Sequence, residues 1–189
     1  MPLVGLKNLN VVKITKDDDT GTTYDAQVRK LALAVQADIK PSMTSENFYA
    51  DDQIAETVNQ LGDIAVDLEM GHLTTADQAY LLGTTVNTDG VLEFKSTDQA
   101  PYVAIGFESE KSNGKTRYVW LYKGKFSLPE TTNKTKADKP EFQTEKISGV
   151  FSPRQSDGKW KAQVDSDDTG IGANVINNWF TKPYESAEA

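Results

Sequence analysis

The segment Pro101–Phe126, PYVAIGFESEKSNGKTRYVWLYKGKF, constrains the fold more than any other part of this chain. Two aromatic-rich runs flank Asn113-Gly114, and such a pair predicts a β-hairpin because both central residues of a type I′ turn need φ > 0. Each arm is about ten residues, against about 5–6 in an ordinary strand, which marks the hairpin as part of a larger sheet.

Alternation places further strands. Leu31, Leu33, Val35, Ala37 and Ile39 form an apolar face against Ala32, Ala34, Gln36 and Asp38, and Ile64, Val66, Leu68 and Met70 do so against Asp63, Ala65, Asp67 and Glu69. Near the C-terminus, KISGVFSPRQ and KWKAQV flank Asp157-Gly158, which predicts a second hairpin with a bulge or an edge at Pro153. Two segments read as helices. Thr74 and Thr75 cap a short one, with Gln78 three residues after Thr75 and Gly83 as its stop. The other runs over Gly172–Phe180 behind Asp167, Asp168 and Thr169, with Val175, Ile176, Trp179 and Phe180 at helical spacing for core packing.

Three stretches read as irregular. Asp17–Thr23 is a turn between strands, Ala50–Gln60 is a polar connection, and Ser127–Glu141, bracketed by Pro129 and Pro140, has too few apolar residues to join a core. A polar loop of that length in a compact domain points to contact with a partner. The elements together predict one mainly β domain, a sandwich or barrel with a short flanking helix and a short C-terminal helix.

Composition removes most chemistry. The chain has no cysteine and a single histidine, His72, so thiolate metal sites, cysteine nucleophiles and two-imidazole sites are excluded. His72 follows Gly71 at a strand-to-helix turn, a capping or turn position for which the sequence identifies no partner acid. The start lacks the pattern of a signal peptide, and no apolar run is long enough for a membrane helix, which together predict a protein made in the cytosol. The net charge is −8, and its excess lies wholly in the first half: residues 1–95 carry 7 basic and 15 acidic side chains, residues 96–189 carry 13 of each. Such a chain repels phosphate and is not built to wrap nucleic acid.

The Asp-rich turns at Asp17 and Asp165 resemble calcium loops but lack the ligand pattern. The first has no glycine at loop position six, and the second, with Gly170 there, has Ile176 where the bidentate glutamate belongs. Walker, dinucleotide-binding and G-x-S-x-G motifs are missing. Asp63, Asp67, Glu69, Glu108 and Glu110 sit on predicted strands and include carboxylate pairs of the kind glycosidases use, although such spacing is also that of a solvated strand face. No catalytic, cofactor-binding or metal residues are assigned, and the reading is non-enzymatic.

Several segments resemble the major tail proteins of phages with long non-contractile tails, the tail tube subunits of phages and prophages of Gram-positive bacteria. They are VGLKNL (Val4–Leu9), SENFYADD (Ser45–Asp52), APYVAIGFESEKSNGKTRYVWLYKGKFSLPE (Ala100–Glu130), DKPEFQT (Asp138–Thr144), DGKW (Asp157–Trp160) and NWF (Asn178–Phe180). The resemblance runs nearly end to end.

It implies a virion protein, assembled in the host cytoplasm as hexameric rings that stack into a tube. A tape measure protein fills the lumen during assembly, tail terminal proteins cap the tube, and DNA transits without stable binding. It also implies an N-terminal arm over residues 1–10, an inter-ring loop over residues 127–141 and a C-terminal arm over residues 171–189. On this view Asp63, Asp67, Glu69, Glu108 and Glu110 face the lumen, and Thr131, Thr132, Asn133, Lys134, Thr135 and Lys136 form the inter-ring contact. Closing six open sheets into one barrel removes their edges, and an acidic wall lets DNA slide. The alternative is a monomeric β-sandwich that binds carbohydrate or a host surface, with some of Tyr102, Tyr118, Trp120 and Tyr122 as an exposed stacking platform.

Overall fold

A computed structural model of the protein describes residues 2–31, 33–50, 53–129, 144–172 and 174–186. The protein is mainly β. Its strands are β1 (Leu3–Asp18), β2 (Gly21–Tyr24), β3 (Arg29–Lys30), β4 (Ala34–Ala50), β5 (Gln53–Met70), β6 (Thr85–Val86), β7 (Leu92–Glu93), β8 (Val103–Lys111), β9 (Thr116–Phe126), β10 (Glu145–Phe151) and β11 (Lys161–Asp165), with one helix, α1 (Thr75–Leu82). Among the described residues nine strands form one sheet in the order β2-β1-β8-β9-β10-β5-β4, with β3 also on β1 and β11 also on β9. Every pairing is antiparallel.

One face of this sheet encloses the main core. Val11 of β1, Ile64, Val66, Leu68 and Met70 of β5, Val103, Ile105 and Phe107 of β8, and Ile147 and Phe151 of β10 all contribute to it, and all are buried. On β5 the period-two reading of the sequence holds at every one of those four positions. Leu73, Leu81 and Leu82 bring α1 onto the same core. The helix is capped by Thr74, whose hydroxyl oxygen accepts from the Asp77 N–H at 3.2 Å, so the residue answering the cap is Asp77 rather than the expected Gln78. Gly83 ends it in the left-handed region at φ 71°.

The second core lies on the opposite face. Val12, Ala104, Trp120, Tyr122 and Trp179 are buried there, with Tyr118, Phe180 and Tyr184 packed against them. The cover is the C-terminal segment. The helix expected over Gly172–Phe180 is instead a chain of turns, with Val175 N–H to Gly172 O at 3.0 Å and Asn178 N–H to Asn174 O at 3.1 Å. Burial of Trp179 against Trp120 holds the segment where local propensity alone would have favoured a helix.

Further expectations are corrected. The β8–β9 hairpin forms as predicted, but its turn is centred on Ser112 and Asn113, closed by Gly114 N–H to Lys111 O at 2.9 Å; Gly114 is left-handed at φ 75° and Asn113 is not. The second predicted hairpin does not exist, because β10 and β11 do not pair with each other. Both pair with the same edge of β9, β11 along Arg117–Leu121 and β10 along Gly124–Phe126. A strand as long as β9 can serve two partners in succession, and Pro153, with no N–H to give, stands just beyond the end of β10.

The predicted apolar face of residues 31–39 is also broken. Leu31 is buried and Ala37 and Ile39 pack on the core, but Leu33 and Val35 are exposed. Leu33 has φ 56°, and the register of β4 shifts between Ala34 and Gln36, which turns those side chains outward. Ala50–Gln60, expected as a polar connection, belongs from Gln53 onward to β5. From Leu3 onward, the expected N-terminal arm lies in β1 and pairs with β8.

Candidate assembly interface

The β4–β5 hairpin outgrows the domain that carries it. Its base is anchored by Ile64, Val66, Leu68 and Met70, whereas every described side chain from Lys40 to Tyr49 and from Gln53 to Gln60 is exposed. The ladder nonetheless continues from Met43↔Leu61 through Ser45↔Asn59, Asn47↔Thr57 and Phe48↔Glu56 to Ala50↔Gln53. At about 3.3 Å per residue, the part beyond Pro41 reaches about 30 Å from the core.

Its polar side chains are satisfied within the hairpin. The Ser45 hydroxyl donates to Asn59 Oδ1 at 2.6 Å and the Thr57 hydroxyl to Asn47 Oδ1 at 2.8 Å. Its apolar side chains are not covered: Met43, Phe48, Tyr49, Ile54 and Val58 are between 56% and 65% exposed. An isolated two-stranded ribbon is marginal in water, so a ribbon of this length with five uncovered apolar side chains is fitted to bury them against another surface. Residues 41–62 carry four carboxylates and no basic side chain, which makes the ribbon acidic.

The predicted lumen residues fall into two groups on the face of the sheet opposite the main core, and the group on β8 shares that face with Ala104 and the rest of the second core. Asp63, Asp67 and Glu69 alternate with the core residues of β5, and Glu108 and Glu110 alternate with Phe107 and Ser109 on β8. Two strands, β9 and β10, separate the groups, about 14 Å along the sheet at ordinary spacing, so the five do not form one cluster. Asp63 is exposed. Asp67 accepts from Lys40 Nζ at 2.8 Å and from the Ser148 hydroxyl at 2.7 Å, and these bonds hold its carboxyl below the usual range. Glu69 accepts from the Thr144 hydroxyl at 2.5 Å with Lys146 Nζ at 3.7 Å. Glu108 is buried and accepts from the Asn8 amide at 2.6 Å, and Glu110 pairs with Lys7 at 3.1 Å. The inter-ring residues Thr131, Thr132, Asn133, Lys134, Thr135 and Lys136 lie outside the described residues.

Elsewhere the ionic groups are structural. Asp165 takes two bonds from Arg117, at 2.7 and 2.8 Å, and an ion pair from Lys111 at 2.6 Å, which also reaches Asp167 at 2.6 Å. The Asp-rich turn at Asp165 is thus bound to the protein's own cations. Arg154, almost fully buried, lies over the Tyr122 ring and bonds Asp157, Glu185 and the Tyr24 hydroxyl, tying the chain end to the 152–159 loop. Of the four aromatics considered as a stacking platform, Trp120 and Tyr122 are buried, Tyr118 packs on Trp179 and Phe180, and only Tyr102 is exposed, with Lys123 and Lys125 over its ring. His72 is exposed, 3.5 Å from Glu145. Among the described residues no helix is long and apolar enough to cross a membrane.

The hairpin is the feature that sequence reading missed. Its tip, Asn47–Gln60, has few long apolar runs, and the signal that could have found it was the apolar series Phe48, Tyr49, Ile54 and Val58 on either side of Asp51-Asp52. In comparisons with known proteins, no family model matches the chain and no curated protein matches it.

Proposed function

We propose that the chain is a self-assembling structural protein. More particularly, we propose that it is a tail tube subunit of a phage with a long non-contractile tail, forming hexameric rings that stack into a conduit for DNA. The observation that carries the reading is the acidic, apolar-studded hairpin beyond Pro41, which has no core of its own. The segments that carry the tail protein resemblance add to it, since Ser45–Ala50 of SENFYADD lies in the same ribbon and NWF in the segment that covers Trp120.

In this reading the tube lumen is the place for Asp63, Asp67 and Glu69, whereas Glu108, buried beside the second core, is a poorer candidate. An acidic wall repels phosphate and lets DNA pass, and of the three β5 carboxylates Asp67 and Glu69 are each beside a lysine, which leaves Asp63 as the main repulsive group. The protein acts by surface complementarity and performs no catalysis, and its other partners are the tape measure and tail terminal proteins. Burial of Trp120 and Tyr122 supports this reading over a carbohydrate-stacking module, because only Tyr102 of the four considered is exposed.

Sedimentation velocity over a range of concentrations, followed by negative-stain microscopy, tests the proposal. Rings or tubes are expected. A monomer at every concentration, above all one that retains a sugar ligand, would overturn it in favour of a binding module.

A further inference from the structure

The exposed hairpin has a counterpart on the body of the same protein. A cleft of about 400 Å³ opens between the first residues of β1, the base of β4 and the strand pair β9–β11. Its walls include Leu3, Leu6, Val35 and Phe107, with Arg117 and Lys161 at the polar side. Leu3 is 47% and Val35 54% exposed, while Leu6, Ala37 and Ile39 beside them pack on the main core. The outward turn of Val35 follows from the register shift in β4 and leaves an apolar wall facing solvent.

The charge of the cleft is also uncompensated. Arg117 is engaged by Asp165, but among the described residues no carboxylate lies within ion-pair distance of Lys161. Burial and the neighbouring Arg117 charge both push the Lys161 ammonium below its ordinary pKa, the condition of a cation lacking its counter-ion. The ribbon offers the complement: four carboxylates with no basic residue, and Phe48 directly opposite Glu56. Opposed residues on an antiparallel pair have Cβ atoms about 5 Å apart, so an aromatic ring and a carboxylate are presented side by side.

We infer that this cleft receives the β4–β5 hairpin of a second copy of the chain, with Phe48 seated among Leu3, Val35 and Phe107 and with Glu56 paired to Lys161. The inference rests on the self-assembly reading and names its contact. The occupant is another molecule, because Phe48 and Val35 of one chain lie on the same strand, about 40 Å apart at 3.3 Å per residue. Two different patches meet in such a contact, so it is heterologous and propagates into a ring or a filament. An aromatic anchor in an apolar pocket beside a desolvated charge pair is the arrangement that concentrates binding energy at interfaces.

The natural absence of cysteine makes the test direct. Full-length Phe48→Cys and Val35→Cys proteins are mixed and oxidised, and a disulfide-linked dimer is expected in the mixture but not with either variant alone. A dimer of the Phe48→Cys protein with itself, or of the Val35→Cys protein with itself, to the same extent would mean a symmetric contact and overturn the inference. Separately, Glu56→Lys and Lys161→Glu are each expected to weaken self-association by about tenfold, and the double variant to recover most of that loss. Circular dichroism and monomer sedimentation establish that each variant is folded. If the unmodified protein assembles but neither the cross-link nor the charge-swap recovery occurs, the contact is wrong and self-assembly stands. If the unmodified protein never associates, both fall.

Discussion

The indole N–H of Trp120 donates to the backbone carbonyl of Trp179 at 2.8 Å, joining the middle of β9 to a segment 59 residues later in the chain. Around that bond Trp179 stacks on Tyr184 at 5.3 Å and 15°, and Phe180 lies 6.1 Å from the Trp120 ring. The C-terminal segment is therefore a cover for the sheet face opposite the main core. Without it Trp120 and Tyr122, both buried, would face water.

Replacing Trp179 by Ala removes the centre of this cover. The substitution is expected to cost about 3–5 kcal/mol, the usual loss for a large buried aromatic. Urea unfolding measures it, and the fluorescence of Trp120 should shift to the red as the ring meets solvent. An unchanged midpoint would mean that the segment does not stabilise the sheet.

Two glycines are close-approach sites. A Cβ on Gly106 would lie 2.7 Å from the Trp120 ring, and one on Gly124 would lie 2.4 Å from the Phe151 ring. Gly106→Ala and Gly124→Ala are each expected to destabilise by about 1–3 kcal/mol, because the aromatic ring must leave its well-packed rotamer. Thermal and urea denaturation of the two single variants check this.

Stability should fall with acid in a defined window. Burial opposes ionisation of Asp17, but the Gln155 N–H, Lys123 and the Thr22 hydroxyl outweigh it and lower its carboxyl to about 2. At Asp165 the bonds from Arg117, helped by Lys111, likewise hold the carboxyl well below the usual range. The unfolded chain, with ordinary values of about 3.9, takes up these protons first, so the contribution is complete above about pH 5 and is lost as pH falls towards 2. Urea midpoints between pH 6 and pH 2 should show that decline. Asp17→Ala leaves Lys123 without its partner, should cost on the order of 3 kcal/mol at pH 6, and should flatten the acid slope.

The outer hairpin should be separable from the fold. Replacing Thr44–Gln60 with Asn-Gly keeps the Met43↔Leu61 pair and removes no side chain from either core. The shortened protein is expected to melt within about 4 °C of the full one, equivalent to roughly 1 kcal/mol, while losing self-association. Calorimetry and sedimentation read the two effects independently.

The lumen proposal has its own test. Asp63→Lys together with Asp67→Lys should leave the subunit folded, since the Lys40–Asp67 pair is exposed and screened by solvent. Tubes built from this variant should retain DNA and eject it slowly. Normal ejection would remove these residues from the conduit.

Much of the fold was legible because some signals are local. The alternation on β5 named its four core residues, and Thr74 and Gly83 bounded α1. Asn113-Gly114 located the β8–β9 turn, though a four-residue loop replaced the two-residue one. What could not be read depended on distant partners. Asp157-Gly158 forms a turn, yet the strands on either side both find β9, because pairing with an already buried strand offers more than pairing with each other. The apolar series at Val175–Phe180 has helical spacing, but the Trp120–Trp179 bond and the stacking of Trp179 on Tyr184 favour turns.

The candidate interface divides in the same way. The acidic character of the first half, the carboxylates of β5 and the freedom from cysteine are properties of the sequence alone. That the ribbon continues about 30 Å past its core, that Leu33 and Val35 turn outward, and that Lys161 stands without a counter-ion among the described residues were decided only by the tertiary structure. The physical reason is that turns and alternation act between near neighbours in the chain, whereas register, burial and charge compensation depend on strands brought together from far apart.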